Sequence, residues 1–147
     1  MNQLNKEQMK AAIESILPHR SPFLFISRIV SLEPGGKAVA EYDVPPDLPL
    51  FEGHFPQEPM LPGVIILEML AQSGALALLS LESMKGKVAL LARIESARFK
   101  RPVRPGETLR AEMTMESMKM GIGRAEGTVY VGDNEAARAV IAFAVPN

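Results

Sequence analysis

Residues 64–81 read VIILEMLAQSGALALLSL, and the placement of this stretch decides the fold. It is aliphatic nearly all round, broken by Glu68, Gln72 and Ser73. Such a run approaches the length of a membrane span, but a carboxylate at the centre of a bilayer costs roughly 2.5 kcal/mol or more. Burial inside protein is cheaper, so the stretch is read as a central buried helix. Pro62 suits the first turn of that helix, and Gly63 onward supplies about 20 residues, or roughly 30 Å.

Outward from this helix, the chain changes period on both sides. Six of the twelve prolines lie between Pro45 and Pro62, in PPDLPLFEGHFPQEPMLP. Fixed φ angles and missing donors exclude helix and central strand there and leave a stiff loop. Upstream, Ala38, Ala40, Tyr42 and Val44 alternate with Lys37, Val39, Glu41 and Asp43, as a half-buried strand does. Pro34-Gly35-Gly36 joins it to Phe23–Leu32, an aromatic and β-branched run read as its hairpin partner. Asn5 and Gln8 have capping-box spacing, and Met9, Ile13, Ile16 and Leu17 follow at helical intervals until Pro18 ends a short helix. Downstream, residues 88–100, 108–120, 123–131 and 137–145 read as four strands separated by turn-forming residues. The order predicts an α+β chain with an antiparallel sheet of about six strands wrapped around one long central helix.

At 147 residues the chain has the size of one domain, expected to span 1–147. Hydrophobic residues make up 47% and charged ones 22%, the composition of a folded protein. There is no cysteine, which excludes disulfides and thiolate metal sites, and two histidines alone do not make a structural zinc site. A net charge of −1 provides no whole-molecule attraction to nucleic acid or acidic lipid, although residues 1–73 are net acidic and 74–147 net basic. The polar start, Met1 to Lys10, lacks the apolar core of a signal or anchor, so a cytoplasmic setting is expected.

Two polar groups stand in apolar surroundings: His54 in the Pro-rich loop and Glu68 on the long helix. A carboxylate flanked by four aliphatic residues must be paired, neutralised or exposed on a narrow stripe with Gln72 one turn on. Desolvation favours the protonated carboxyl, the form a general acid needs. His54 could be a loop histidine bonded to backbone, or the complementary base. Without a nucleophilic cysteine, a metal cluster, a phosphate loop or a dinucleotide fingerprint, the chemistry open to these residues is proton abstraction and donation, as in elimination or hydration.

The spacing His54-Phe55-Pro56-x-x-Pro59-x-x-Pro62-Gly63-Val64-x-x-x-Glu68-x-x-Ala71-Gln72 resembles the signature of the FabZ-type β-hydroxyacyl-acyl carrier protein dehydratases of bacterial type II fatty-acid synthesis. Leu17-Pro18-His19-Arg20-x-Pro22-Phe23-Leu24 and Ala97-Arg98-Phe99-Lys100-Arg101-Pro102-Val103-x-Pro105-Gly106 are similar to that family's flanking blocks. Ser27 and Glu107 depart from it where Asp is usual.

This resemblance implies a hot-dog fold and no cofactor. By it, His54 removes the α-proton of a 3-hydroxyacyl thioester, Glu68 protonates the departing hydroxyl, and the Gly63 N–H polarises the thioester carbonyl. Val64, Gln72 and Phe99 are the further substrate-binding candidates, with Gln72 orienting Glu68 or bonding structurally. His19 is expected to be structural. The implied partners are acyl carrier protein and further copies of the chain, as a homodimer and a trimer of dimers. Arg98, Lys100, Arg101 and Arg104 would form the basic rim that meets the acidic carrier. A hot-dog thioesterase and a non-catalytic acyl-binding module are the competing readings.

Overall fold

A computed structural model describes residues 3–146. The short helix α1 spans Lys6–Ile16 and starts with the expected capping box: the Gln8 N–H donates to the Asn5 side chain at 2.8 Å, and the Asn5 N–H to that of Gln8 at 3.0 Å. Strands β1 (Arg28–Leu32) and β2 (Lys37–Asp43) form the hairpin, and the Gly35 N–H in its turn donates to the Ala77 carbonyl at 2.8 Å, tying the hairpin to the long helix. That helix, α2, spans Gly63–Leu79 and buries nearly every residue from Ile66 onward. Four strands follow: β3 (Leu90–Phe99), β4 (Thr108–Lys119), β5 (Ile122–Val131) and β6 (Asn134–Ala144). All pairings are antiparallel, in the order β1-β2-β4-β5-β6-β3. This is the hot-dog arrangement expected from the sequence, with α2 packed along the inner face of the sheet. Among the described residues no helix is long and apolar enough to cross a membrane.

Three expectations need correction. The first strand begins at Arg28 instead of Phe23. Residues 23–26 run without a neighbouring strand because the Gln72 side chain takes its place, accepting from the Phe25 N–H at 2.8 Å and donating to the Phe23 carbonyl at 2.9 Å. The long helix has 17 residues, not about 20, and the Pro-rich loop includes a short 3-10 turn at Pro49–Glu52.

The period of two places Leu109, Ala111 and Met113 of β4, and Ala125 and Val129 of β5, against α2. Gly127 on β5 faces Met113 across the ladder, and a methyl group there would sit 2.5 Å from the Glu112 carbonyl oxygen and from the Met113 sulfur. Gly127→Ala is therefore expected to cost about 3 kcal/mol and lower the melting temperature by roughly 10 °C, read by calorimetry.

Strand β3 is different: all ten of its residues are exposed, and it pairs only with β6. Leu90, Leu91, Ile94 and Phe99 lie on it with 38% to 51% of their surface open. An apolar edge strand with free main-chain groups is a template for pairing with another strand.

Candidate active site

His54 is held by the loop that the prolines stiffen. Its N–H donates to the Leu50 carbonyl at 3.1 Å, its carbonyl accepts from the Met60 N–H at 3.0 Å, and its Nδ1 lies 2.9 Å from the Met60 carbonyl oxygen. A carbonyl can only accept, so Nδ1 carries a hydrogen, and a neutral ring in that tautomer holds its lone pair on Nε2. The backbone bond that would have made this an ordinary loop histidine also sets the tautomer of a base. His54 lines a cleft of about 390 Å³ with Met60, Leu61, Gly63, Ile66 and Phe99, and with Lys100, Arg101 and Pro102. Gly63 opens α2 there, where the first amides lack partners within the helix. A side chain at Gly63 would meet the Phe99 ring at 3.2 Å, so the ring packs against the helix start closely enough that a methyl group there would push it back by a few tenths of an ångström.

Glu68 opens into a second cleft, of about 210 Å³, with His19, Phe23, Ala71, Gln72 and Ala75. Its far wall is apolar, formed by Ala89, Leu90, Leu91 and Phe143. Gln72 is 1% exposed and donates from Nε2 to Oε2 of Glu68 at 3.0 Å, so it both orients the carboxyl and bridges to the 23–25 segment. His19 Nε2 lies 3.7 Å from the same oxygen.

The two groups do not share a cleft within one chain. At 100° per residue, Gly63 and Ile66 lie roughly 160° around α2 from the Glu68, Ala71, Gln72 and Ala75 stripe. The clefts open on opposite flanks of the helix. Val64 is 72% exposed and lines neither.

The basic residues are also distributed. Lys100 pairs with Glu135 at 2.9 Å, Arg101 chelates Glu107 through two contacts of 2.8 Å, and Arg104 reaches Glu58 at 3.4 Å. With Arg101 and the Arg104 N–H donating to it, the Glu107 carboxyl is held below its ordinary pKa despite the opposing effect of burial. Arg98 and Lys100 line a surface cleft with Arg138, a member that the clustering of charge around residue 100 does not reveal. The β3–β6 register explains it, because Arg98 pairs with Arg138 across the ladder.

A cavity larger than either cleft, about 590 Å³, lies elsewhere, between α1 and the 21–28 segment. Its Arg28 and Asp43 are ion-paired to each other, and no acid–base pair faces it, so size does not mark the site here. No group of three or more metal-ligating side chains occurs among the described residues.

A hot-dog sheet around a helix that presents a histidine cleft on one flank and a carboxyl cleft on the other defines the class of protein. The chain belongs to the FabA-like domain family, whose model matches residues 17–140. The 3-hydroxyacyl-[acyl-carrier-protein] dehydratase FabZ of Chloroflexus aggregans is 53% identical over 133 residues, covering 90% of this chain and 92% of that protein. The protein of the same name from Symbiobacterium thermophilum is 50% identical over 130 residues, covering 88% and 92%. Among solved structures, the dehydratase heterocomplex ApeI:P from Xenorhabdus doucetiae superposes with a TM-score of 0.78 at 17% identity, over 92% of this chain and 91% of that one. That likeness concerns the fold alone.

Proposed function

We infer that the protein dehydrates 3-hydroxyacyl-[acyl-carrier-protein] to the trans-2-enoyl thioester in fatty-acid synthesis; its half-identical relatives are named 3-hydroxyacyl-[acyl-carrier-protein] dehydratase FabZ. Nε2 of His54 takes the proton from C2, and that bond's electrons form the C2=C3 double bond. The C3–O bond breaks, and the leaving oxygen takes the proton of Glu68 and departs as water. Charge that develops on the thioester oxygen is met by the Gly63 N–H at the start of α2. The observation that carries this reading is the Nδ1 bond of His54 to the Met60 carbonyl, which leaves Nε2 available in a cleft that His54 lines together with the helix start.

His54 and Glu68 act together only if the chain dimerises through β3. Leu90 and Leu91, at one end of β3, wall the Glu68 cleft, and Phe99, at the other end, walls the His54 cleft. Antiparallel pairing of two copies about a two-fold near Ile94–Glu95 sets Phe99 of one copy beside Leu90 of the other. Each His54 cleft then abuts the partner's Glu68 cleft, which agrees with their opposite placement around α2. Val64, exposed in one chain, adds to the substrate wall in this assembly. Three such dimers assembled into a hexamer complete the quaternary reading.

The acyl carrier protein docks on the basic surface of Arg98, Lys100, Arg101 and Arg104, joined by Arg138. Carrier-bound 3-hydroxyacyl substrate should yield the enoyl thioester, followed by its ultraviolet absorbance; release of free thiol without enoyl product would overturn the reading in favour of thioester hydrolysis. Reversing charge at Arg98 and Arg138 together should raise KM for the carrier-bound substrate roughly tenfold at low salt, with a smaller effect at high salt and on a pantetheine thioester.

A further inference from the structure

His19 is a half-buried polar side chain that the chemistry above leaves unused. Its Nδ1 is buried with no hydrogen-bond partner among the described residues, and its Nε2 lies 3.7 Å from Oε2 of Glu68. Arg20, the neighbouring cation, is occupied elsewhere, donating to the carbonyls of Glu14, Leu17 and His19 and pairing with the Glu14 carboxylate at 3.6 Å. Burial, aided by Arg20 and opposed by Glu68, holds the His19 ring below the ordinary histidine pKa and so keeps it neutral near pH 7. The approach is set by Gln72, which grips Phe23 and Phe25 just beyond His19 and Glu68 one turn earlier on α2.

Building on the assignment of Glu68 as the acid, we propose that His19 is a positioning residue for it. In the substrate complex its Nε2–H closes on Oε2 of Glu68, beside the Gln72 amide. Two donors on Oε2 leave the transferable proton on Oε1, facing the leaving hydroxyl. They also stabilise the carboxylate that forms when that proton departs. The resting 3.7 Å is longer than a hydrogen bond, and contacts of this kind tighten as substrate binds. A neutral donor suits the task, because a cation at that distance would favour the carboxylate before the proton is needed. The proton delivered to the 3-oxygen is that of Glu68, and His19 keeps its own.

The test uses the full chain. His19→Leu should lower kcat on a 3-hydroxyacyl thioester roughly 30-fold with KM changed less than about threefold. His19→Gln, which keeps an N–H donor, should recover most of the loss. On a 3-chlorobutanoyl pantetheine thioester the halide leaves without protonation, so the His19→Leu loss should shrink to less than about threefold, as should that of Glu68→Gln. Equal losses on the two substrates, or no recovery in His19→Gln, would mean that His19 only supports the loop and would overturn the proposal. A parent chain that forms no enoyl product from the hydroxyacyl thioester would instead overturn the dehydratase reading, and this proposal with it.

Discussion

Glu68→Gln and His54→Ala should each lower the dehydration rate roughly 10²- to 10⁴-fold, the contribution of a positioned acid or base, with the melting temperature held within about 3 °C of the parent. Glutamine is close to glutamate in shape and still accepts from Gln72, but it has no proton to give. Alanine at 54 removes the imidazole, and with it the base, from its cleft. The stronger outcome comes from mixing the two inactive chains. After random subunit exchange about half of the dimers are mixed, and each mixed dimer holds one site with both groups intact and one with neither. Activity should therefore return to about a quarter of the parent value. A mixture that stays inactive after mass spectrometry confirms exchange would place His54 and Glu68 of one chain in one site, against their opposite placement around α2.

Ile94→Lys should abolish activity with little loss of fold. Ile94 is 47% exposed at the middle of β3, so a single chain loses little packing from the change. Across a two-fold at this position each introduced ammonium must give up water inside the strand contact, and the apolar contact between the strands is lost. Analytical ultracentrifugation should find a monomer, circular dichroism should find the parent secondary structure, and the enoyl assay should read at least 10²-fold below the parent. A variant that stays dimeric and active would exclude the β3 edge as the subunit contact.

The elements were readable wherever one residue pattern left a single physical solution. The apolar run of α2 had nowhere to go but the interior, and the Met113-Thr114-Met115 alternation could only be a strand. Phe23–Ile26 misled because its composition suits a strand, while its hydrogen bonds go to an amide 47 residues away that local pattern does not reveal. The order of strands was equally out of reach. The placement of β3 beside β6 depends on how the chain closes around α2, and with it went the knowledge that β3 is an open edge.

The candidate site divides along the same line. His54 and Glu68 stood out because each is a titratable group among apolar neighbours. Counting residues around a helix could have shown that Glu68 faces away from Gly63, but not where the His54 loop lies. The approach of His19 to Glu68, and of Arg138 to Arg98, carries no mark in local sequence, since both are set by contacts between distant elements.

Helix α2 is enclosed on nearly every side, and this limits how a lineage built on it can change. From Met69 to Leu79 each residue already touches its neighbours, so substitutions there are filtered by folding before any change in activity can be selected. Novelty has to enter from the periphery, through the proline loop and β3, whose side chains border the clefts without bearing the weight of the core. Such a design keeps its chemistry old and its tastes young.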